Sequence, residues 1–313
     1  MNKFNVITIS EGAAGMRSQI EGLASLISED YKNFDLKIKS FFKYLPIELI
    51  PSSSFAYINL SSLKIEKNTI LISCGKKSVK ASIYLKNKYK KFIFNIHIQN
   101  PKVNNKLFDL IVCPEHDNLD SENSISTLLA IHNIKFNKNA RNNKIINFII
   151  GGPNKYFKFN QQTQKKILNE IKFLSEKFNV NIIPSRRTPN SLLDELSKIN
   201  AENIYMSEDL FNPKEYGELL SQAHLQIVTW DSISMISEAI SSEAGTFLFK
   251  FEEELCPKRY HQFFDKITSS NFAQFYDQNI KPYEISISEY NEALKTKILN
   301  KIQSNLRFIS EDA

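Results

Sequence analysis

The sequence predicts an α/β protein of two Rossmann-like, doubly wound domains that face a cleft. The chain has 313 residues, which exceeds the usual size of a single hydrophobic core and favours two domains. Short β-branched and apolar runs alternate with longer segments of helical period, as in βα units around parallel sheets. A polar stretch at 135–144, KFNKNARNNK, interrupts this alternation near the middle. We therefore expect domains at 1–138 and 144–284, followed by a segment 285–313 that packs back on the first domain.

The first domain shows apolar runs separated by amphipathic segments. A helix is predicted at 16–28, where Ile20, Leu23, Ala24 and Ile27 share one face, and a shorter one at 79–89. Strands are predicted at 6–10, 34–39, 69–73, 92–98 and 110–113.

The alternation is clearer in the second domain. Strands are predicted at 145–150, 180–184, 204–206, 225–229 and 246–251, and helices at 161–178, 191–199, 213–223 and from near 232. The helical period returns at 285–302, which supports a final helix.

Composition excludes several classes of protein. With 42% hydrophobic and 12% aromatic residues, the chain can bury ordinary cores and is not disordered. Its apolar runs are too short for a membrane-spanning helix or a signal peptide, and three widely spaced cysteines suggest neither disulfides nor a zinc site. We expect a cytoplasmic protein, with association at the inner membrane as the alternative. The net charge of +6 suits an anionic partner, but lysines on a solvated surface explain it more simply.

Two glycine turns follow strands of the first domain. In EGAAGMRSQ (11–19), Gly12 and Gly15 permit close approach of the backbone, and the helix that carries Arg17 offers free N–H groups to an anion. Gly75 and Lys76 follow the third strand in the same way. The segment EGAAGMRSQ lacks the spacing of a P-loop or of GxGxxG, and a tight turn without a ligand explains it equally well.

The tetrapeptide PEHD (114–117) ends the fifth strand. His116 titrates near neutral pH and Asp117 can accept a proton, so either is a candidate general base. A turn in which Asp117 caps neighbouring backbone is the simpler alternative.

Adjacent arginines follow a strand of the second domain, in SRRTP (185–189). The guanidinium groups of Arg186 and Arg187 can bind phosphate oxygens bidentately, beside the hydroxyls of Ser185 and Thr188. Gly151 and Gly152 follow a neighbouring strand, which favours a ligand site over a solvated pair of arginines.

A helix start is predicted in TWDSISMISEA (229–239), with Asp231 or Ser232 as its N-cap. Its N-terminus would then point at the cleft with Ser234 nearby, and Glu238, about one turn further on, could bind a ribose diol. A capped helix with buried Met235 and solvated Glu238 stays open as an alternative.

Several motifs together resemble one family. QNPK (99–102), FDLIVCPEHD (108–117), IIGGPN (149–154), SRRTP and TWDSISMISEA occur in the order found in the mitochondrial-fission family named for elongated mitochondria in plants, and in its bacterial relatives. The resemblance runs from EGAAGMRSQ to KRYHQFFDKI near Tyr260. It implies a glycosyltransferase-B-like fold and a nucleotide-sugar ligand, rather than one reaction.

The resemblance also implies roles for individual residues. Nucleotide and diphosphate contacts fall on Gly151, Gly152, Ser185, Arg186, Arg187, Thr188, Thr229, Asp231, Ser232, Ser234, Met235 and Glu238. The acceptor side falls on Gly12, Gly15, Arg17, Gly75 and Lys76, and the catalytic base on His116 or Asp117. Lys76, Lys77 and Lys102 stand where arginines are expected, which weakens a phosphate role there.

The sequence leaves open whether the chain is an enzyme. Metal-independent transfer of a sugar from a nucleotide diphosphate to an acceptor is the leading hypothesis, with no cofactor beyond that substrate. The alternatives are a non-catalytic protein that associates with a membrane or with division or envelope proteins, and a nucleoside-diphosphate-sugar epimerase. Nucleic acid is not an expected partner, because basic residues do not interleave with aromatics in a stripe.

Overall fold

A computed structural model describes residues 4–199, 204–206, 213–252 and 256–311. The chain divides into two compact units: unit 1 contains residues 1–133 and 288–313, and unit 2 contains residues 134–287. The predicted linker at 135–144 therefore falls inside unit 2, where residues 142–144 already belong to a strand.

Unit 1 is built on a parallel sheet with the strand order β2-β1-β3-β4-β5-β6. Its strands are β1 Asn5–Ser10, β2 Tyr31–Asp35, β3 Thr69–Cys74, β4 Ile93–Ile98, β5 Leu110–Pro114 and β6 Ser124–Thr127, and its helices are α1 Ala14–Ile27, α2 Ser40–Lys43, α3 Lys76–Tyr89 and α9 Ser288–Glu311.

The core of unit 1 lies on both faces of this sheet, because neighbouring residues of each strand point to opposite sides. Ile70 and Ile72 of β3 pack in a cluster with α1 and with Ile298 of α9. Leu71 packs in a second cluster with α3 and with the segment that leads from β2 to β3. The structure thus places α9 against the first unit.

The prediction of a strand at 34–39 is displaced by about half its length. β1 pairs with residues 31–35, and its partner in register with Ser10 is Asp35. Ile38 instead makes an isolated antiparallel bridge with Tyr57, so the apolar alternation beyond Asp35 belongs to a loop that packs on the core. Strand β6 was not predicted from the sequence, because it is short and half-exposed.

Unit 2 has the strand order β12-β11-β10-β7-β8-β9. Its strands are β7 Asn142–Ile150, β8 Asn179–Pro184, β9 Ile204–Met206, β10 Ala223–Thr229, β11 Gly245–Phe249 and β12 Gln274–Phe275, and its helices are α4 Gln161–Ser175, α5 Asn190–Ser197, α6 Pro213–Gln222, α7 Ile233–Ser241 and α8 Lys258–Ser269. Counted within the unit this is the order 6-5-4-1-2-3, the dinucleotide-fold order read from the other edge.

Three amide side chains cross the buried centre of this sheet in one row. Asn147 of β7 lies in register with Asn181 of β8 and Gln226 of β10. Asn181 Nδ2 donates to Asn147 Oδ1 at 2.9 Å, and Asn147 Nδ2 donates to Gln226 Oε1 at 2.8 Å. Gln226 donates onward to the Leu220 carbonyl. Because each buried amide has a partner, the row fixes strand register without an unpaired polar group.

Across the described parts of both units, every helix falls short of the length and apolar character needed to cross a bilayer.

Candidate functional site

Each sheet has one point where the strand order reverses direction. In unit 2 it lies between β7 and β10, and in unit 1 between β1 and β3. At such a point the helices that follow the two strands leave on opposite faces, and a crevice opens beyond the carboxyl ends of the strands. Gly151 and Asp231 follow the strands of unit 2, while Glu11 and Gly75 follow those of unit 1.

The glycines at the end of β7 are required by close packing. A Cβ on Gly151 would lie 2.2 Å from both carboxylate oxygens of Asp231, and one on Gly152 would lie 2.0 Å from the Arg187 carbonyl oxygen. Neither glycine has a positive φ. These positions are therefore glycine because Asp231 and the Arg187 backbone occupy the space of a side chain.

Asp231 is buried at the centre of this packing, with 1% of its surface exposed. Its carboxylate accepts hydrogen bonds from Gly152 N–H at 3.1 Å and from the Thr229 hydroxyl at 2.8 Å. Arg187 Nη2 lies 3.0 Å from Oδ2. Burial raises the pKa of Asp231 above its ordinary value, and the three donors and the charge of Arg187 lower it only in part.

Arg187 links the two strand ends. Besides Asp231, its guanidinium donates from Nη1 to the Gly152 carbonyl at 2.7 Å. Thr188, which is buried, donates to the Gly151 carbonyl at 2.7 Å and accepts from Ser185 N–H at 2.8 Å. The structure thus brings SRRTP, the glycine turn and Asp231 together, with Arg186 exposed at the surface beside them.

Helix α7 begins directly after Asp231. Its N-cap is Ser232, and no side chain among the described residues accepts from the first N–H groups of the helix. Asp231 therefore does not cap α7, as the sequence suggested it could, because its carboxylate faces Gly152 and Arg187 instead. Ser234 is exposed and Met235 half-buried on the first turn, which leaves the positive end of α7 open to an anion.

Glu238 lies on the same face of α7 as Ser234, one turn further on. Its Oε2 accepts a hydrogen bond from the Tyr216 hydroxyl at 3.0 Å, and none of the described residues donates to its Oε1. Burial raises the pKa of Glu238 to about 7, with the Tyr216 hydrogen bond acting in the opposite direction. This carboxyl group therefore has one oxygen available to a ligand hydroxyl and titrates near neutral pH.

Trp230, between Thr229 and Asp231, has a packing role that the sequence did not reveal. Its ring stacks on Phe264 of α8 at 5.3 Å and 25°, and it meets Phe157 edge-on at 5.5 Å. Tyr260, from the same helix, packs on Phe157 and Phe264. The large side chain at position 230 thus fixes α8 over the end of β10.

In unit 1 an acid already occupies the corresponding helix end. Glu11 Oε1 accepts from Lys77 N–H at 3.3 Å, and its Oε2 lies 2.7 Å from Lys77 Nζ. The N-terminus of α3 is therefore neutralised by a side chain of the same unit. Gly75 has φ +90°, and a Cβ there would lie 2.4 Å from Met16 Sδ.

The other residues of unit 1 that the sequence predicts for an acceptor lie on the turn after β1 and at the starts of α1 and α3. Gly12 has φ +85°, while Gly15 has open space around its Cα. Arg17 forms an ion pair with Asp35, and both side chains are exposed by about half. Lys76 is exposed. Of the two predicted glycine positions in EGAAGMRSQ, only Gly12 is demanded by its backbone conformation.

The PEHD loop forms a single turn after β5. His116 Nε2 lies 3.9 Å from Asp117 Oδ1, and the Cys113 thiol donates to Asp117 Oδ2 at 3.7 Å. Both candidate bases are half-buried. Within the described residues no cluster of three or more histidines, cysteines or acids is arranged to hold a metal ion.

The sequence profile of the family described as Mitochondrial fission ELM1 matches residues 14–299. The chain belongs to this family. The match spans both units and every segment from α1 to α9, which confirms the resemblance drawn from the ordered motifs.

This ELM1-family chain is similar to one curated protein in sequence and to solved proteins in structure. An uncharacterised protein of Rickettsia prowazekii, RP120, is 25% identical over 337 residues, covering 90% of this chain and 92% of the relative. A Listeria monocytogenes protein assigned as a UDP-N-acetylglucosamine 2-epimerase superposes with TM-score 0.51 at 12% identity, covering 96% of this chain and 88% of its own. Acinetobacter baumannii MurG gives TM-score 0.45 at 12% identity, with 99% and 100% covered. The two parallel sheets, together with the Listeria superposition, confirm the predicted α/β fold of two Rossmann-like, doubly wound domains.

Proposed function

We propose that unit 2 binds the nucleoside-diphosphate part of a nucleotide sugar, and that the protein transfers the sugar to an acceptor without a metal ion. One observation carries the proposal: at the switch point of unit 2, a single helix presents an uncapped N-terminus and a carboxyl group with an available oxygen. The first suits a diphosphate and the second suits a ribose diol.

The spacing of these two features along α7 supports this assignment. Glu238 follows the start of the helix by five residues, a rise of about 7.5 Å. That separation is of the same order as the span from the ribose hydroxyls to the second phosphate of an extended nucleoside diphosphate. Side chains on a helix tilt toward its N-terminus, so Glu238 leans toward the expected diphosphate.

The contrast between the two switch points favours unit 2 as the diphosphate site. In unit 1 the carboxylate of Glu11 holds the N-terminus of α3, so a second anion there would be repelled. In unit 2 the nearest carboxylate, Asp231, is paired with Arg187 and faces away from the helix N–H groups. The helix dipole and the exposed Arg186 would stabilise a departing diphosphate.

The acceptor and its base stay predictions from the sequence, with His116 and Asp117 as the candidates for the base. A glycosyltransferase and a nucleotide-sugar epimerase would use the same diphosphate site. The Listeria neighbour carries the name of an epimerase, so we keep this as the second candidate reaction. Nuclear magnetic resonance of a nucleotide sugar incubated with the protein and an acceptor separates them. Transfer joins the sugar to an acceptor hydroxyl and releases the nucleoside diphosphate, whereas epimerisation inverts a sugar carbon and leaves the nucleotide sugar intact.

Isothermal titration with UDP, GDP, ADP and inorganic pyrophosphate tests the site. We expect one of the nucleotides to bind, and Ser234→Glu to weaken it at least about tenfold, because a fixed carboxylate would compete at the helix N-terminus. Ser197→Glu is the matched control, because Ser197 is equally exposed but ends α5. If no nucleotide binds the folded protein, or if both variants bind alike, the proposal fails.

Titration against pH tests the ribose contact. The ionised form of Glu238 accepts hydrogen bonds from a diol, and it predominates above its pKa of about 7. Binding should therefore strengthen as pH rises through that value. Glu238→Gln should lose about tenfold in affinity at about pH 8, and less at about pH 6. A pH-independent affinity in the unsubstituted protein would remove Glu238 from the site.

A further inference from the structure

Large apolar side chains lie in solvent on one short segment of unit 1. Phe41 is 74% exposed, Tyr44 84%, Phe55 66% and Ile58 65%. Together with Leu49, these make up five of the nine exposed large hydrophobic residues among those described. Their concentration within residues 41–58 distinguishes them from the single exposed side chains that any protein surface carries.

Contacts within the segment join several of these side chains. The buried ring of Phe42 connects Phe41, at 5.2 Å, with Phe55, at 5.9 Å. Ile58 N–H donates to the Lys37 carbonyl at 2.8 Å, which places Lys37 beside Ile58. We call the surface formed by Phe41, Tyr44, Phe55, Ile58, Lys37, Lys39 and Lys43 the aromatic-lysine patch.

Two lysines lie beside rings of the patch. Lys39 Nζ lies 4.3 Å from the centroid of the Phe55 ring, and Lys43 Nζ lies 5.9 Å from that of Tyr44. Residues 31–67 contain six lysines and three acids, so this stretch carries +3 of the net +6 of the chain. One of the acids, Asp35, is paired with Arg17. The patch is therefore both apolar and positively charged.

Hydrogen bonds fix the backbone that carries the patch. The Tyr57 hydroxyl donates to the Lys77 carbonyl at 2.8 Å, and Asn59 bonds both Lys37 N–H and the Asp35 carbonyl. Ile38 and Tyr57, which pair across the two arms of the segment, point into the core. The buried neighbours thus fix the backbone that carries the exposed rings, so this segment loses little conformational entropy on binding.

We propose that the aromatic-lysine patch docks on the surface of an anionic lipid bilayer. Aromatic rings on short turns can enter the interfacial layer, where the Tyr44 hydroxyl can stay at headgroup depth. The lysine ammonium groups would meet lipid phosphates, and their alkyl stems lie along the rings. Charge complementarity selects this occupant, because the like charges of Lys37, Lys39 and Lys43 beside the apolar side chains oppose self-association of two copies. All residues of the patch belong to unit 1, so the inference does not rest on nucleotide binding by unit 2.

Vesicle flotation at physiological salt tests the proposal. The full chain should float with vesicles of phosphatidylcholine and phosphatidylglycerol in roughly a two-to-one mixture, and should stay below with phosphatidylcholine alone. The pair Phe41→Ser with Tyr44→Ser should lower partitioning at least about tenfold. Lys43→Glu should lower it about fivefold or more, since each lysine near an anionic surface contributes about 1 kcal/mol.

Lys106→Glu and Leu107→Ser are matched controls, because both residues are exposed in unit 1 outside the patch. They should float as the unsubstituted chain does, and circular dichroism should show that every variant is folded. Absence of flotation with anionic vesicles, or equal flotation of patch and control variants, overturns the proposal. So does a dimer, seen by sedimentation without lipid, that only the patch variants lose while flotation is unchanged.

A tryptophan placed in the patch gives a fluorescence signal of membrane contact that a folding defect would not produce. Trp230, the only native tryptophan, is buried in unit 2. Tyr44→Trp should therefore give a new exposed emission that shifts to the blue on anionic vesicles and not on neutral ones. An unshifted spectrum on vesicles that float the protein would place the contact elsewhere and refute the assignment of the patch.

Discussion

Replacement of Arg187 by alanine should destabilise unit 2 even without a ligand. Arg187 is paired with a carboxylate that has no exposed side-chain surface, although the arginine side chain itself is 40% exposed. Breaking a buried ion pair from one side commonly costs about 3 to 5 kcal/mol. Asp231 would keep its bonds from Gly152 and Thr229, and water could enter beside it. We therefore expect a loss below that range, about 2 kcal/mol.

The loss should depend on pH in a definite direction. The folded-state pKa of Asp231 is raised, and Arg187 is one of the groups that hold it down. Without Arg187 that pKa rises further, so the folded variant binds a proton more readily than the unfolded chain. Arg187→Ala should then be least harmful where Asp231 is protonated, and the deficit should grow as pH rises through the raised pKa.

Urea unfolding followed by tryptophan emission measures this effect. Trp230 stacks on Phe264 next to Asp231, so its emission reports unit 2. We would compare the unsubstituted chain with Arg187→Ala, Asp231→Asn and the double variant at about pH 7.5 and about pH 4.5. The cycle should give a coupling energy of about 1 to 2 kcal/mol at the higher pH.

A loss below about 0.5 kcal/mol, equal at both pH values and uncoupled to Asp231, would refute this reasoning. The pairing with Asp231 would then not explain why an arginine occupies position 187, and a direct contact with the diphosphate would explain it better. With the expected outcome, weakened nucleotide binding by Arg187→Ala cannot by itself identify a ligand contact, whereas Ser234→Glu can.

Two further substitutions test the packing of each unit. Gly152→Ala should cost about 2 to 3 kcal/mol or more by urea unfolding, because its Cβ would meet the Arg187 backbone, while Gly15→Ala, in open space on α1, should be neutral or slightly stabilising. Ile298→Ala should cost about 2 to 4 kcal/mol and speed hydrogen exchange in α1, because Ile298 is 1% exposed in the cluster of unit 1 and α9 packs on α1. Equal exchange for Ile298→Ala and the exposed control Ser304→Ala would show that α9 does not support that core.

Sequence periodicity predicted the central strands well, because strands buried on both faces appear as continuous apolar runs. β7, β8 and β10 are each within three residues of their predicted bounds. Edge strands carry a weaker signal: β2 and β6 are short and partly exposed. The misplaced strand at 34–39 arose because Leu36 and Ile38 serve a loop that covers the core, and alternation alone cannot distinguish the two.

The candidate site was predicted as a set of segments rather than as a set of contacts. The rule that ligands gather beyond the carboxyl ends of parallel strands brought SRRTP, the glycine turn and the start of α7 together. The pairing of Arg187 with Asp231 joins residues 44 positions apart, and no local sequence pattern predicts it. Glu238 was predicted from the sequence, but its partner Tyr216 lies on another helix. The pKa of the Glu238 carboxyl group is raised by burial, which no local pattern shows.

The route of the chain between units affects how it emerges from the ribosome. Unit 2 is one uninterrupted stretch, residues 134–287, whereas unit 1 is completed only by residues 288–311, whose helix α9 packs on α1 and β6. During synthesis the second unit can therefore be complete while α1 and β6 of the first still expose the surface that α9 later covers. A nascent chain of this kind offers that apolar surface to chaperones for the time taken to add α9.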